Sequence, residues 1–542
     1  MVRIWCFVAF SLGVLLCLSS CTPKKNAKIS VIPARNVPTT VAILPFSNHS
    51  QAAGAGKIVR KMFYNFFSSL NYQDVELSDV DNSLRIAGLF HDIIQAKALD
   101  IGQICQATGT DALVFGDVTT FGKIYAVLYS EVRAGLKAKM VACPSGKILW
   151  QYEHTAHISE GGLSINPLGL ASTAAKVLLN LRQTIGMRVV SDLCMEMVST
   201  IPNPPASSRP GPHIKVLVHN GANRLLLPGQ LLKVVLIGQP GLSASWTITT
   251  WEKKLPLDEK DPGIYTGAYR VKANDRIIAG QVVGFLRSPS GKTSKWMDIL
   301  GPVTFGRPTE LSGEIDGQHI LSKNHNPYLV RKILVIGENA NLTIMPGVKI
   351  WVSGLGIVVR GTLHAEGTID DAIEINTLGQ RQWKGIIIER PTGDIKLKHV
   401  CVRGANSALV AKKTNLFIKK CLFVGNNWGL VFVKANATIV DSLITGSEKV
   451  GISVKNSKAD IKGCRIVQNK IGGILVKESQ VDVHGSDIFN NGKWNLKILD
   501  DRSIVDARRN WWGSINVNKK KILGHATLVP PLRESILYKR IW

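Results

Sequence analysis

In the carboxyl half of this chain glycine returns at a long, fixed interval. Gly385, Gly429, Gly451 and Gly473 stand 44, 22 and 22 residues apart, with Ser407 and Asn495 filling the same column. Beside it runs an apolar column, Ile386, Ala408, Leu430, Ile452, Ile474 and Leu496, and two places further another, Ile388, Val410, Phe432, Val454, Val476 and Ile498. Two apolar columns separated by one position describe a strand with one face inward. Later in each unit Ile395, Phe417, Ile439, Ile461, Val483 and Val505 align, then Val400, Leu422, Ile444, Ile466 and Ile488. Each unit therefore supplies three short strands, separated by turn formers such as Asn426-Asn427, Asn469 and Asn490-Asn491. A helix cannot serve columns so far apart without a long apolar face. Units of this length stack as coils of a right-handed parallel β-helix, about 4.8 Å apart.

The first coils are less regular. Leu342-Thr343-Ile344-Met345-Pro346-Gly347-Val348 and Gly361-Thr362-Leu363-His364-Ala365-Glu366-Gly367 resemble the opening coils of pectate-lyase-like and NosD-like β-helix proteins. Arg509-Asn510-Trp511-Trp512-Gly513 is similar to the terminal coil of that group. Trp511 and Trp512 are expected to cap the open end of the stack, with a carbohydrate-stacking platform as the alternative.

Many β-helix proteins cut polysaccharides, so carboxylates need inspection. Glycoside hydrolysis uses two at a fixed separation, and β-elimination uses a calcium-binding cluster with a basic residue. The candidates are Asp370, Asp371 and Glu374, and Asp500, Asp501 and Asp506 with Arg508. Asp394, Asp460 and Asp482 share a column that Leu416 and Thr438 interrupt, so no stacked acidic ladder is expected. Outward columns carry lysine instead, at Lys412, Lys434, Lys455 and Lys477. They read as a basic ligand-binding face, or as a solvated surface that keeps a long sheet from aggregating.

The chain opens with Arg3, an apolar run from Ile4 to Leu16, and Leu18-Ser19-Ser20-Cys21. The run suits a signal peptide rather than a span. The last four residues resemble the lipobox of bacterial lipoproteins, which implies cleavage before Cys21 and lipidation there. Thr22 stands where an aspartate commonly retains such proteins at the inner membrane, so a lipid anchor in the outer membrane is expected. Export argues against a nucleic-acid partner despite a formal charge of +27. The anionic surfaces within reach are lipopolysaccharide, phospholipid headgroups and acidic glycans. Cys105, Cys143, Cys194, Cys401, Cys421 and Cys464 remain after Cys6 and Cys17 leave and Cys21 is acylated. None lies at C-x-x-C spacing, so no metal or cofactor is expected, only buried thiols or one disulfide.

The remaining chain divides readily. Val41 to Phe46 reads as a strand, Ile58, Met62, Phe66 and Leu70 as one helix stripe, and Lys97 to Thr108 as a second helix ending at Gly109. Ala112 to Gly116 is a buried strand, and Ile124–Ala142 and Ile148–Ile158 form a hairpin across Pro144-Ser145-Gly146. Val41-Ala42-Ile43-Leu44-Pro45-Phe46, Thr110 to Gly116 and Gly146-Lys147-Ile148-Leu149-Trp150 resemble outer-membrane lipoproteins whose fold is similar to the amino-terminal domain of TolB. Members often accompany curli-type export lipoproteins, which implies an export or assembly lipoprotein as partner. Beyond a proline-rich linker, short alternating strands read as a β-sandwich, and Leu255 to Tyr269 resembles bacterial immunoglobulin-like spacer modules.

The expected plan is a signal peptide over 1–20, a tether over 21–39, an α+β domain over 40–201, a linker over 202–212, an immunoglobulin-like β-sandwich over 213–307 and the β-helix over 310–542. The expected function is that of a non-catalytic outer-membrane lipoprotein in envelope assembly, transport or surface binding, its β-helix offered to an anionic polysaccharide or a protein. The alternatives are a polysaccharide lyase or hydrolase, and a secretion accessory without a glycan ligand.

Overall fold

The computed structural model describes residues 38–50, 54–95, 100–125, 130–159, 184–204, 211–249, 251–379 and 381–536. The signal peptide, Cys21, nearly all of the tether and most of the proline-rich linker lie outside them. Two compact units divide the chain, one ending at Pro210 and the other beginning at Gly211. Among the described residues no helix is long and apolar enough to cross a membrane.

The first unit is mixed α/β. Strand β1 (Thr40–Ile43) lies parallel to β3 (Gln73–Asp74) on one side and to β4 (Ala112–Tyr125) on the other, with β2 (Ser47–Asn48) against β4. β5 (Ser130–Ala142) and β6 (Ile148–Ser159) continue the sheet antiparallel. The hairpin of β5 and β6 is as expected, but Ile124 and Tyr125 belong to β4, which makes a three-stranded meander. Helix Ala55–Phe67 buries Val59, Phe63 and Phe67 beside Trp150, and helix Thr184–Ser199 lies against it through Cys194 and Val59. Helices Leu77–Ile86, Phe90–Ile94 and Ile101–Thr108 close a second core with Leu84, Phe90, Ile93 and Ile104 over Ala42, Leu44 and Leu113. Gly109 ends the last of these in the left-handed conformation at φ 63°, as its place after Thr108 requires. A disulfide joins Cys105 to Cys143, while Cys194, Cys401, Cys421 and Cys464 are buried free thiols.

The second unit opens with a sheet-rich region. Seven strands between Ile214 and Met297 form one antiparallel path, and three shorter ones form a second sheet. Seven strands in one hydrogen-bonded path differ from the four-and-three division of an immunoglobulin sandwich, and the immunoglobulin-like resemblance goes no further. Leu225 packs on Leu329 and Trp351 of the following solenoid, and Arg276 donates to the carbonyls of Asn324 and Asn326.

From Thr309 onward the chain is a parallel β-solenoid of about ten turns with three sheets. The first sheet runs from Thr309–Glu310 to Asp487–Phe489, the second from Gly313–Ile315 to Ile522–Leu523, and the third from Gln318–Leu321 to Ile504–Asp506. The glycine column that announces the repeat has a steric cause. A Cβ at Gly429 would strike the carbonyl oxygen of Gly451, and one at Gly473 that of Asn495 in the next coil. Asn426, Asn469 and Asn491 lie buried at one corner. The Asn469 side chain accepts from the Ser447 amide at 3.0 Å and donates to Asn491 at 2.9 Å and to the Ile444 carbonyl at 3.3 Å. These bonds satisfy backbone groups that the turn leaves open.

Several expected columns slip by one or two residues. Ile386 pairs with Leu409 rather than Ala408, and Ile388 with Ala411 rather than Val410. Phe417 points outward and Ile418 takes its place in line with Leu397 and Ile439. In the first sheet Val402 and Phe423 precede Ile444, displacing Val400 and Leu422. In the third, Val505 follows Val481 rather than Val483. The cause is uneven coil length: 22-residue steps hold from Ile444 to Ile488, whereas Val402, Phe423 and Ile444 follow at 21, Leu409 lies 23 after Ile386 and Val505 lies 24 after Val481.

Candidate functional site

The lysine column is only partly a column. On the second sheet Glu389, Lys412, Val433, Lys455 and Lys477 stand in register. Lys455 and Lys477 are exposed neighbours, while Lys412 is half-buried and paired with Glu389 at 3.1 Å. Lys434 lies one residue further on, at the corner leading to the third sheet. There Arg390, Lys413, Lys434, Asn456 and Glu478 all adopt positive φ, from 48° to 52°. This corner turns through a left-handed residue whatever its side chain, so the residue type is released for other use.

An open groove of about 570 Å³ follows this corner across four coils. Its wall repeats the same three positions: Lys434-Ala435-Asn436, Asn456-Ser457-Lys458, Glu478-Ser479-Gln480, and then Arg502 and Ile504. The floor is tied together by serines. Ser457 accepts from the Ala435 amide at 3.0 Å, Ser479 from the Ser457 amide at 3.1 Å and Ser503 from the Ser479 amide at 3.1 Å. Of the nominated basic residues only Lys434 lines the groove. Asn456, Lys458, Gln480 and Arg502 escape a reading of the sequence for lysine columns, although Lys434, Asn456 and Glu478 do share the 22-residue spacing.

The nominated carboxylates are dispersed. Asp371 pairs with Lys323 at 2.7 Å ahead of the fourth coil, and Glu374 with Lys349 at 2.5 Å on the first sheet. Asp370 and Asp501 are exposed. Burial works to raise the Glu374 carboxyl, but the charges of Lys349 and Arg403, with hydrogen bonds from Lys349 and Asn376, hold it below the usual carboxylate range. Asp500 is a turn residue, accepting from the amides of Glu478 at 2.7 Å and Arg502 at 2.9 Å. The two groups sit five coils apart, roughly 24 Å along the axis, so they cannot act on one glycosidic bond.

One expectation about the acids is overturned. Asp460, Asp482 and Asp506 occupy consecutive coils of the third sheet in register, a stacked acidic ladder that residue counting missed because Asp506 follows at 24 rather than 22. Two of its carboxylates are compensated: Lys462 reaches Asp460 at 2.7 Å, and Arg508 holds Asp506 through Nε at 2.9 Å and Nη2 at 2.5 Å, while Asp482 accepts from the Gln480 amide at 3.4 Å. Asp482, His484 and Asp506 bring ligand atoms within 4.8 Å of one another. The Arg508 hydrogen bonds draw the Asp506 carboxyl down to about 2. A group so acidic stays ionised and makes no general acid at neutral pH.

The two tryptophans separate. Trp512 is 4% exposed and closes the solenoid core, which rules it out as a sugar platform. Trp511 lies half-buried against Phe489 on the outside of the first sheet. The chain beyond them returns across the last coil, where Ala507 donates to Thr527 and Leu532 to Asn510.

The chain is therefore a mixed α/β domain followed by a sheet-rich region and a parallel β-solenoid. Residues 34–199 match the GNA1162-like lipoprotein family, and residues 356–511 match the right-handed β-helix region family. A comparison with curated proteins finds no match. Among solved structures the chain is similar to lipoprotein GNA1162 from Neisseria meningitidis, with 21% identity over 26% of this chain and 96% of that one at a TM-score of 0.22. It is also similar to the PelC dodecamer from Paraburkholderia phytofirmans, at 14% identity, 32% and 92% coverage and TM-score 0.18. A third is the hypothetical protein CT253 from Chlamydia trachomatis, at 12% identity, 30% and 98% coverage and TM-score 0.21.

Proposed function

We propose that this protein is a non-catalytic lipoprotein of the outer membrane, anchored through Cys21, whose β-helix holds an anionic polymer of the envelope. The observation that carries the reading is the pairing, in one chain, of a lipoprotein-family domain with a solenoid whose outward positions carry Lys413, Lys434, Lys455, Lys458 and Lys477 exposed. The Cys105–Cys143 disulfide supports export, since such bonds persist in oxidising compartments. Exposed cations interact with a flexible anion mainly by long-range attraction, so binding of this kind weakens as salt rises. The purified protein is expected to be retained on an immobilised acidic polysaccharide at low salt and to elute as salt rises. Changing Lys412, Lys434, Lys455 and Lys477 together to Gln is expected to move elution to markedly lower salt, and unchanged elution counts against the basic face. Mass spectrometry of the native amino terminus tests the anchor.

A further inference from the structure

We infer that the groove at the corner between the second and third sheets is the track of the bound polymer, and that the polymer is a carboxylate-bearing polysaccharide lying along the solenoid axis. The inference rests on the proposed binding of an anionic polymer and assigns its path and chemistry. Four coils contribute equivalent positions to the groove, from Lys434 to Arg502. Their spacing of about 4.8 Å is close to the length of one sugar unit in an extended glycan, whereas an extended peptide advances by only about 3.4 Å per residue. A glycan can thus meet the same kind of contact at every coil, and a peptide falls out of step.

The chemistry along the track suits a sugar acid. Asn436, Asn456 and Gln480 present amides, which both donate and accept as sugar hydroxyls do. Asn436 is oriented by its own donation to Asn415 at 2.8 Å. Lys434 and Lys458 are exposed and make no ion pair among the described residues. The single carboxylate in the wall, Glu478, is held by Arg502 at 3.0 Å. Ile504, 69% exposed, offers an apolar surface at the far end. The groove is shallow and open, and its serine-tied floor presets the spacing of the side chains, so little ordering is needed on binding. Glu478 competes with a ligand carboxylate for Arg502. Removing its charge strengthens binding, whereas removing Lys434 or Lys458 weakens it.

The test uses the full-length protein and an oligogalacturonate of defined length, with binding followed calorimetrically at low salt. K434N keeps a residue that tolerates the left-handed corner, and K458Q keeps a straight side chain. The combined variant K434N/K458Q is expected to bind about tenfold more weakly, and E478Q several-fold more tightly. K455Q/K477Q, on the adjoining sheet face, is expected to weaken binding by less than K434N/K458Q, through the loss of long-range attraction alone. Circular dichroism establishes that each variant is folded. If the native protein binds but only K455Q/K477Q weakens it, the groove is not the track although a basic face remains. Equal or tighter binding of an acidic peptide or a single-stranded oligonucleotide overturns the sugar assignment. If none of these polyanions binds, the proposed function falls together with the groove.

Discussion

His399 occupies the turn from the third sheet to the first, at φ 47° and 6% exposure. Burial is the largest influence on its imidazole, and Lys420, Lys398 and Lys419 add to it, so that its pKa falls from 6.5 to about 4. Both causes disfavour the imidazolium. In the folded chain the ring is therefore neutral down to about pH 4, whereas in the unfolded chain it protonates near 6.5. Stability is complete above the unfolded value and declines as the pH falls from about 6.5 toward 4, because only the unfolded chain takes up the proton. The loss amounts to about 2 kcal/mol by pH 4.5. Replacement by Asn, which accepts the left-handed turn, is expected to remove this share. Urea midpoints of the native protein and H399N, compared at pH 7 and pH 4.5, give the difference. An equal acid loss in both would mean that the ring is not held neutral. The buried thiols behave in parallel: burial lifts Cys421 and Cys464 to about 12, so they act as small apolar side chains of the core.

At the scale of a coil, the fold is governed by register, and register also decides what a sequence can reveal. Val450 stands beside Gly472, and Ile452 beside Ile474, so the segment 450–471 is one complete coil. Excising those 22 residues brings Ser447 to Asn491 as it now meets Asn469, and the buried asparagine ladder closes. Excising only 450–470 leaves every later residue one place out, turning inward side chains outward. The first deletion is expected to give a cooperative, shorter solenoid by circular dichroism and urea titration. The second is expected to lose several kcal/mol or fail to fold, and equal stability of the two would refute the register. This sensitivity explains which columns could be read. From Ile444 to Ile488 a fixed interval holds and the glycines mark it, since the neighbouring carbonyl leaves no room for a Cβ. At Ala408-Leu409-Val410-Ala411 both phases of the strand are apolar, so nothing in composition chooses Leu409 and Ala411 over their neighbours. The groove was hidden for a related reason: its corner demands a backbone conformation, not a residue type, and Lys, Asn and Glu follow one another there. The place of Asp506 in the acidic ladder was hidden because two additional residues precede it in its coil.

The whole molecule comprises two compact units with different means of support. The solenoid is a continuous stack of apolar layers from Tyr328 to Trp512, closed at its last coil by the returning chain. The first unit has smaller cores, and its helix Ile101–Thr108 is fastened to the end of β5 by the disulfide between Cys105 and Cys143, 38 residues apart. Constraining a loop of that size in the unfolded chain contributes about 3–4 kcal/mol. The bond lies wholly within the first unit, so its removal bears on that unit alone. Calorimetry of the protein produced from Thr22 onward is expected to show two transitions. Changing Cys105 and Cys143 together to Ser should lower one of them by about 10 °C, as a domain of this size requires for that loss, and leave the other within 2 °C. Loss of both transitions together would mean that the units fold as one body. A shift confined to the solenoid would contradict the division itself. An outcome with one moved transition also has a functional reading, because glycan binding measured on the same variant should persist while the first unit is weakened. The ligand track and the first unit would then be separable in energy as well as in sequence.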